Sequence, residues 1–187
     1  MRVFAGLILA VSLAAGLGAC DQLQGSSLHS RGIEALEARV QILEDERDAL
    51  ALIDALDLAV DAKQWDAVRA MFADTIQADF SSLGGAPGPL AADDLVNGWR
   101  RNLFEDKPSF RLRGGARVSV DGDTAIVITN GYAWNALPQR TENNFWEVWG
   151  RYEYGLARSE GGWKIVSMAF VAMHQRGDSS VRSETQR

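Results

Sequence analysis

The feature that most restricts the fold is a series of long apolar strands between Ser109 and His174. Asp121-Gly122 separates two runs rich in β-branched residues, which signals a two-residue hairpin whose central residues both need positive φ. Glu160-Gly161-Gly162 separates two further apolar runs. The last run is apolar on both alternating faces, so both faces of the sheet should be covered. We therefore expect four strands of one curved antiparallel sheet, with helices on one face and a second copy of the chain on the other.

The first half of the chain is predicted to supply those helices. Apolar residues repeat at three-four spacing over 33–48 and predict an amphipathic lead helix. This helix is expected to pack on the domain or on its dimer mate, with a spacer that sets the distance to a membrane as the alternative. Three helices of the domain follow: one that reaches Asp61, one over 65–72, and one that starts near Asp93. The glycine- and proline-rich residues 84–89 are expected to form a loop.

The N-terminus contains an apolar segment that ends at a cysteine. Arg2 precedes an apolar run that is too short for a comfortable membrane span, and the run leads to Leu17-Gly18-Ala19-Cys20. This tetrapeptide has the form of a lipobox, so the N-terminus resembles the signal peptide of bacterial lipoproteins. The resemblance implies a signal peptide over 1–19, lipidation of Cys20, and anchoring to a membrane of the cell envelope on its periplasmic or extracellular face. The alternatives are an ordinary signal peptide or an uncleaved anchor. Cys20 is the single cysteine of the chain, so lipidation would leave no thiol for a disulfide or for catalysis.

Composition and charge limit the remaining possibilities. A net charge of −6 argues against nucleic-acid binding, which needs a basic surface. After the signal peptide we expect a flexible tether over 20–32, the lead helix, one domain over 49–175, and a disordered tail over 176–187. No His, Cys or Asp spacing typical of a metal site occurs, and no phosphate-binding glycine motif follows a strand. The sequence therefore predicts neither a metal nor a cofactor.

Several short motifs together resemble one known family. They are Met71-Phe72-Ala73-Asp74, Gly98-Trp99-Arg100, Val120-Asp121-Gly122-Asp123-Thr124-Ala125, Gly150-Arg151-Tyr152-Glu153 and Gly161-Gly162-Trp163-Lys164-Ile165. Their order and spacing resemble the SnoaL-like branch of the nuclear transport factor 2-like superfamily, over residues 36–174. The resemblance implies an α+β fold in which three helices and a cone-shaped, curved antiparallel sheet enclose a pocket. Members of this family include dehydratases and isomerases as well as proteins without catalytic activity, so the resemblance implies a cavity but no particular reaction.

The resemblance can be carried over residue by residue. Relatives of the dehydratase type have a Tyr on the first helix, an Asp five residues later, and two histidines on neighbouring strands. Asp61 matches that Asp, whereas Leu56, Arg111 and Asn135 take the other three positions. Asp61 is the candidate catalytic base, and Asp61, Arg111 and Asn135 are the candidate ligand-binding residues. The alternative for Asp61 is a structural cap of the helix that begins near Trp65.

Strand alternation gives two further expectations. It places Asn135 inside the cone and Trp134 on the convex side. It also places Arg111 on the same face as Arg113 and Arg117, so these three residues could instead form an exposed basic stripe. The six tryptophans could pack the core and a dimer interface, or could line an aromatic pocket.

The expected function is binding of a small, mostly apolar ligand without turnover by a lipid-anchored homodimer. One alternative is a cofactor-free lyase or isomerase of the dehydratase or ketosteroid-isomerase type that uses Asp61. The other is a non-catalytic interaction module whose cavity is filled by its own side chains.

Overall fold

The computed structural model describes residues 17–185, with side chains from residue 29 onward. The chain divides into two compact units, of which the first ends at Leu43 and the second begins at Glu44. Most of the predicted signal peptide over 1–19 lies outside the described residues, and so does the side chain of Cys20. A search of the helices in the described part of the chain finds none that is both long and apolar enough to cross a membrane.

The described residues of the first unit are helical and belong to helix α1 (Leu17–Asp61). The bounds of α1 include both the predicted tether over 20–32 and the predicted lead helix over 33–48, so no helix end separates the two. The apolar residues of the lead helix are exposed: Leu36 is 59% exposed and Val40 is 52% exposed. The partner on which they pack stays a prediction.

The second unit contains the end of α1 and the elements that form one sheet and its cover. Its further elements are helix α2 (Trp65–Ala70), strands β1 (Phe72–Asp79) and β2 (Gly88–Ala91), helix α3 (Ala92–Asn102), strands β3 (Ser109–Asp121), β4 (Thr124–Ala136), β5 (Phe145–Ser159) and β6 (Gly162–Gly177), and helix α4 (Ser179–Ser183). A short 3₁₀ helix over Ser81–Leu83 lies between β1 and β2. The predicted loop over 84–89 is therefore shorter than expected, because its last two residues belong to β2.

The six strands form a single curved sheet in the order β2-β1-β6-β5-β4-β3. The four predicted strands are confirmed as β3 to β6, which pair antiparallel with one another. Strand β1 joins β6 in parallel, which the sequence analysis did not predict. A parallel pair requires a long crossover connection, and the chain between β1 and β6 provides it. The predicted α+β fold, with a curved and mostly antiparallel sheet and covering helices, is confirmed.

The hairpin between β3 and β4 confirms one expectation and corrects another. The loop has two residues as predicted, but they are Gly122 and Asp123 instead of Asp121 and Gly122, because Asp121 still belongs to β3 and pairs with Thr124. Among the described residues of this loop, however, only Gly122 has a positive φ, at 55°. The expectation that both central residues need positive φ is wrong, because a hairpin with glycine at the first loop position requires it there only.

A bulge in β3 determines which arginines face the helices. The register with β4 shifts between Gly114 and Arg117, and Gly115 has a φ of 67°. Before the bulge, the side chains of Arg111 and Arg113 are only 17% and 7% exposed, whereas Arg117 beyond it is exposed. The alternative of an exposed stripe of all three arginines is therefore wrong, because the extra residue of a bulge reverses the alternation of side chains.

The inner face of the sheet packs on α1, α2 and α3. Ile53 of α1, Val68 of α2 and Val127 of β4 belong to one continuous core of buried residues. Each fully buried aliphatic side chain of this kind stabilises the fold by about 1.5–3 kcal/mol. The outer face of the sheet is more exposed than the inner face: Leu112 is 58% exposed and Met173 is 69% exposed there.

Helix α4 lies in the segment that was expected to be a disordered tail over 176–187. Its Val181 is fully buried, in a second core cluster that includes Trp146. The fully buried Lys107 donates hydrogen bonds to the carbonyl oxygens of Val181 and Glu184 at the end of this helix. A lysine that binds the last carbonyls of a helix satisfies acceptors that have no partner within the helix. The contacts of Val181 and Lys107 therefore explain why this short polar segment is ordered.

Candidate functional site

A cavity of about 420 Å³ lies between the inner face of the sheet and the helices of the second unit. Helices α1 and α3, strands β3 to β6, the segment after β1 that contains Phe80 and the 3₁₀ turn, and helix α4 all contribute to its wall. Most of the lining side chains are apolar or aromatic: Leu56, Val60, Phe80, Leu83, Trp99, Leu103, Ala133, Trp146, Val148, Tyr152, Met168 and Phe170. A volume of this size and an apolar lining are typical of sites for small organic ligands.

Two glycines allow aromatic rings to form part of this wall. A Cβ atom at Gly131 would lie 2.3 Å from the ring of Tyr152, and one at Gly150 would lie 2.4 Å from the ring of Phe170. The rings of Tyr152 and Phe170 therefore lie directly on the backbone of a neighbouring strand, with their centres 4.4 Å apart. Any larger residue at Gly131 or Gly150 would displace these rings.

One ion pair lies in the cavity wall. Asp57 of α1 accepts a hydrogen bond from Nη2 of Arg113 of β3, and the two side chains are 13% and 7% exposed. The guanidinium carbon of Arg113 lies 4.7 Å from the centre of the Tyr154 ring and 5.1 Å from that of Tyr152. Burial raises the pKa of the Asp57 carboxyl, although the nearby Arg113 opposes this change. Burial also raises the pKa of the Tyr152 and Tyr154 hydroxyls, so both remain neutral near pH 7.

A second ion pair lies one helical turn further along α1. Asp61 accepts hydrogen bonds from the backbone N–H of Arg111 at 2.7 Å, from its guanidinium, and from Oγ of Ser109 at 3.0 Å. Nζ of Lys63 donates to the same Ser109 Oγ at 2.8 Å. These contacts attach the end of α1 to the start of β3. Asp61 does not cap the helix around Trp65, since α2 has no side-chain cap at its N-terminus.

The two aspartates on α1 are about as far apart as the two arginines on β3 with which they pair. Four residues of α-helix rise about 6 Å, and two residues of β-strand extend about 6.7 Å. Asp57 and Asp61 on α1 therefore match Arg113 and Arg111 on β3 when helix and strand run in opposite directions. Sequence reasoning identified Asp61 and Arg111 but missed the other pair. The sequence does contain a signal for the missed pair: Asp57 lies four residues before Asp61, and Arg113 lies two residues after Arg111.

The structure separates the predicted site residues. Arg111 and Asn135 line the cavity together with Leu56, whereas Asp61 is not among the lining residues. Asn135 is 5% exposed, and its Oδ1 has no hydrogen-bond partner among the described residues. The alternation that placed Asn135 inside and Trp134 outside agrees with their burial, because Trp134 lies on the partly exposed face of β4.

The tryptophans take both of the roles considered for them. Trp99 and Trp146 line the cavity, whereas Trp163 is 7% exposed in the core. Trp149 is 36% exposed on the outer face of the sheet, with its ring centre 5.1 Å from that of Tyr132. Within the described part of the chain, no three His, Cys, Asp or Glu side chains form a group that could hold a metal ion.

Comparison with known proteins agrees with this architecture. The chain is similar to the Kfla4162 protein from Kribbella flavida, with 22% identity, a TM-score of 0.70, and coverage of 75% of this chain and 98% of that one. It is also similar to an NTF2-like protein with a cystatin-like fold from Novosphingobium aromaticivorans, with 19% identity, a TM-score of 0.59, and coverage of 79% and 93%. A third similar structure is a type 2 hexachlorocyclohexane dehydrochlorinase, LinA, with 16% identity, a TM-score of 0.54, and the same coverage of 79% and 93%.

The TM-scores show a shared fold, and at identities of 16–22% they show the fold alone. Among proteins with curated functions, none matches this sequence significantly. The model of the SnoaL-like domain matches residues 41–169. Because this match spans well over half of the chain, the protein belongs to the SnoaL-like domain family of the nuclear transport factor 2-like superfamily.

Proposed function

We propose that this SnoaL-like domain is attached to a membrane through lipid on Cys20 and binds a small, mostly apolar ligand in its central cavity without turnover. The observation that carries the proposal is the cavity of about 420 Å³ with its mainly apolar and aromatic lining. A few polar groups in an apolar wall fix the orientation of a ligand, and Arg111, Arg113 and Asn135 supply such groups here. The proposed anchor rests on Leu17-Gly18-Ala19-Cys20 alone.

The chemistry of the lining supports binding rather than catalysis. Proton transfer requires a group that can gain and lose a proton within reach of the substrate. Leu56 cannot do so, Arg111 stays charged and only donates, and the amide of Asn135 does not titrate. The carboxylate of Asp61 already accepts three hydrogen bonds from Ser109 and Arg111. Arg111 and Asn135 can hold a ligand in the cavity, but together with Leu56 and Asp61 they are a poor set for moving a proton.

The proposal can be tested with N-phenyl-1-naphthylamine, a neutral apolar probe that fluoresces when it leaves water. The chain from residue 21 onward suits this test, because the buried core residues among those described lie between Ala49 and Val181. We expect saturable binding that is lost in Ala133→Phe, which fills the cavity. Ser119→Phe, which adds the same ring at an exposed position of β3, should keep it. Equal binding by both variants would contradict the proposal.

A cofactor-free lyase or isomerase is the second candidate, and one observation favours it. Asp57 places a carboxyl group in the cavity, and burial raises the pKa of that group. A carboxyl with a raised pKa is a better general base or acid near neutral pH. Turnover of a hydroxy-ketone or enone that disappears in Asp57→Asn or Asp61→Asn would establish this candidate instead. The third candidate, an interaction module, requires a cavity filled by side chains, and the volume of the cavity argues against it.

A further inference from the structure

Four apolar residues of helix α1 form an exposed stripe. Ile33, Leu36, Val40 and Leu43 are each between 44% and 64% exposed. They repeat at three-four spacing, so their side chains lie on one side of the helix. We call these four residues the lead-helix stripe. A row of exposed apolar side chains is unusual for a soluble protein and indicates a surface that another molecule covers.

The residue types in the lead-helix stripe are those of a two-stranded parallel coiled coil. With Ile33 at position a of a seven-residue repeat, Val40 is the next a residue. Leu36 and Leu43 take the d positions. β-branched residues at a combined with leucine at d favour two parallel helices over three or four. The stripe ends where Arg47 places a charge at the following a position.

Charged residues beside the stripe select the direction in which two such helices pair. Arg39 takes a g position, Glu44 takes the e position of the following repeat, and both are exposed. In a parallel pair these positions are neighbours across the interface, so Arg39 of each chain meets Glu44 of the other and two ion pairs form. In an antiparallel pair, e faces e and g faces g, so glutamate lies beside glutamate and arginine beside arginine. Such like-charge contacts disfavour the antiparallel arrangement.

The charge of the lead helix argues against a lipid surface as the occupant of the stripe. Helices that lie on membranes carry Lys and Arg on their polar face, which anionic lipids attract. Over 33–46, α1 has only Arg39 as a basic residue. The acidic residues of the same range are Glu34, Glu37, Glu44, Asp45 and Glu46. A second copy of the chain therefore suits the stripe better than a membrane does.

The stripe is short, so its pairing depends on how closely two chains are held together. Two repeats of a coiled coil give little stability in dilute solution. Attachment of both chains to one surface raises their local concentration and strengthens such a weak contact. Cys20, the proposed lipid site, precedes the stripe by about 20 Å of helix. Two chains that leave one membrane at this point run in the same direction, as parallel pairing requires.

We propose that the lead-helix stripe pairs with the same stripe of a second chain, in a parallel two-stranded coiled coil that forms when the chains are attached to a membrane. The partner of the lead helix is therefore a second copy of this chain. The inference does not depend on the ligand cavity. It rests on the membrane attachment in the proposed function, which a test can supply without lipid on Cys20.

Disulfide crosslinking on vesicles tests the pairing. The chain from residue 21 onward contains no cysteine, so one introduced cysteine is its only thiol. An N-terminal hexahistidine tag attaches this chain to phosphatidylcholine vesicles that contain a nickel-chelating lipid. Leu36→Cys should form the interchain disulfide about tenfold faster than Ala38→Cys, an exposed position on another side of the helix. Without vesicles, at the same protein concentration, both variants should crosslink slowly and at similar rates.

Two further sets of variants test the direction of pairing. In a parallel pair, a mixture of Leu36→Cys and Val40→Cys should give crosslinks mainly between identical positions, because each residue faces itself. In an antiparallel pair, position 36 faces position 40, and mass spectrometry of the crosslinked peptides distinguishes the two results. Arg39→Glu should slow the crosslinking of Leu36→Cys on vesicles, and R39E/E44R, which exchanges the two charges, should restore it. Urea unfolding of each variant checks that the fold is unchanged.

The outcomes separate the inference from the proposed function. Equal crosslinking of Leu36→Cys and Ala38→Cys on vesicles would overturn the inference, because it would show random collision. Crosslinks mainly between positions 36 and 40, or a charge exchange that fails to restore crosslinking, would overturn the parallel arrangement. Absence of lipid on Cys20 in the full chain would overturn the proposed attachment but would not change the result on vesicles.

Discussion

At the scale of single residues, Asp57 and Asp61 lie one helical turn apart but have different surroundings. Asp57 lines the cavity and pairs with Arg113. Asp61 accepts hydrogen bonds from Ser109 and from the backbone and side chain of Arg111, and it does not line the cavity. Asp61 therefore holds the end of α1 on β3, and its loss should affect stability before it affects binding.

Asp61→Asn should lower the free energy of unfolding by about 1–3 kcal/mol, because the amide cannot replace a carboxylate that accepts charge-assisted hydrogen bonds. The affinity for N-phenyl-1-naphthylamine should remain within about twofold of the wild-type value. Urea unfolding and probe titration measure the two quantities. Asp54→Asn, at an exposed position of the same helix, is the control and should change neither. A normal stability combined with lost binding would mean that Asp61 serves the ligand.

The buried Lys107 predicts a rise of stability with pH. Burial lowers the pKa of Lys107 to about 8 in the folded protein, from an ordinary value of 10.5. Between these two values the unfolded chain binds more protons than the folded one, so the free energy of unfolding increases as the pH rises. Burial also lowers the pKa of Lys63 to about 8, and it contributes in the same direction.

Urea unfolding at several values between pH 8 and pH 10 should therefore show increasing stability. Lys107→Met should reduce the slope without abolishing it, since Lys63 remains. Above about pH 10 the trend should reverse, because burial raises the pKa of Tyr152 and Tyr154 and the unfolded chain then loses protons first. A stability that is flat or falls between pH 8 and pH 10 would contradict the lowered pKa of the buried Lys107.

At the scale of elements, the bulge of β3 sets the direction of the cavity arginines. Gly115 has a φ of 67° there, and a side chain at this conformation costs about 1–2 kcal/mol. Gly115→Ala should lower the free energy of unfolding by that amount. Gly161→Ala is the matched control, because Gly161 has no positive φ and a Cβ atom there meets nothing within 4 Å. Equal effects of Gly115→Ala and Gly161→Ala on the free energy of unfolding in urea would mean that a side chain at position 115 does not strain the bulge.

The elements that the sequence predicts are those with a repeating local pattern. Strands β3 to β6 follow from long apolar runs rich in β-branched residues and from two glycine-containing breaks. The bulge was missed because one inserted residue in Gly114-Gly115 reverses the alternation without changing the composition. Helix α4 was missed because its order depends on Lys107, which lies 74 residues before Val181 in the chain. Asp57 was missed because the family motif points to Asp61 only, and pairing with Arg113 depends on how α1 crosses β3.

At the scale of the whole molecule, the proposed lipid anchor makes a direct prediction. Cys20→Ser should abolish labelling of the full chain with an alkyne-bearing fatty acid in a bacterial host, because the thiol is the acylated group. The variant should also leave the membrane fraction, since the anchor depends on burial of acyl chains at about 0.8 kcal/mol per CH₂ group. Ser26→Ala is a control within the predicted tether. Labelling that persists in Cys20→Ser, or that never occurs in the wild type, would show that the N-terminus has another role.

The outer face of the sheet bears on how the molecule assembles. Leu112, Tyr132 and Trp149 are neighbours across β3, β4 and β5, and the rings of Trp149 and His174 lie 5.3 Å apart. Phe110, Val171 and Met173 on the same sheet are each more than half exposed. Soluble monomers rarely expose a continuous apolar patch of this kind, and aromatic residues are enriched at the centres of protein interfaces. We propose that a second copy of the chain covers this face and forms a homodimer.

Sedimentation of the chain from residue 21 onward at micromolar concentration tests the dimer. The wild type should sediment as a dimer, and Leu112→Glu should convert it to a monomer, because a carboxylate buried in an apolar interface without a partner is costly. Leu58→Glu is the matched control: Leu58 is 72% exposed on helix α1, away from the sheet, so that variant should remain dimeric. A monomeric wild type would rule out this assembly. A dimer that Leu58→Glu disrupts and Leu112→Glu does not would place the interface on the helix instead of the sheet.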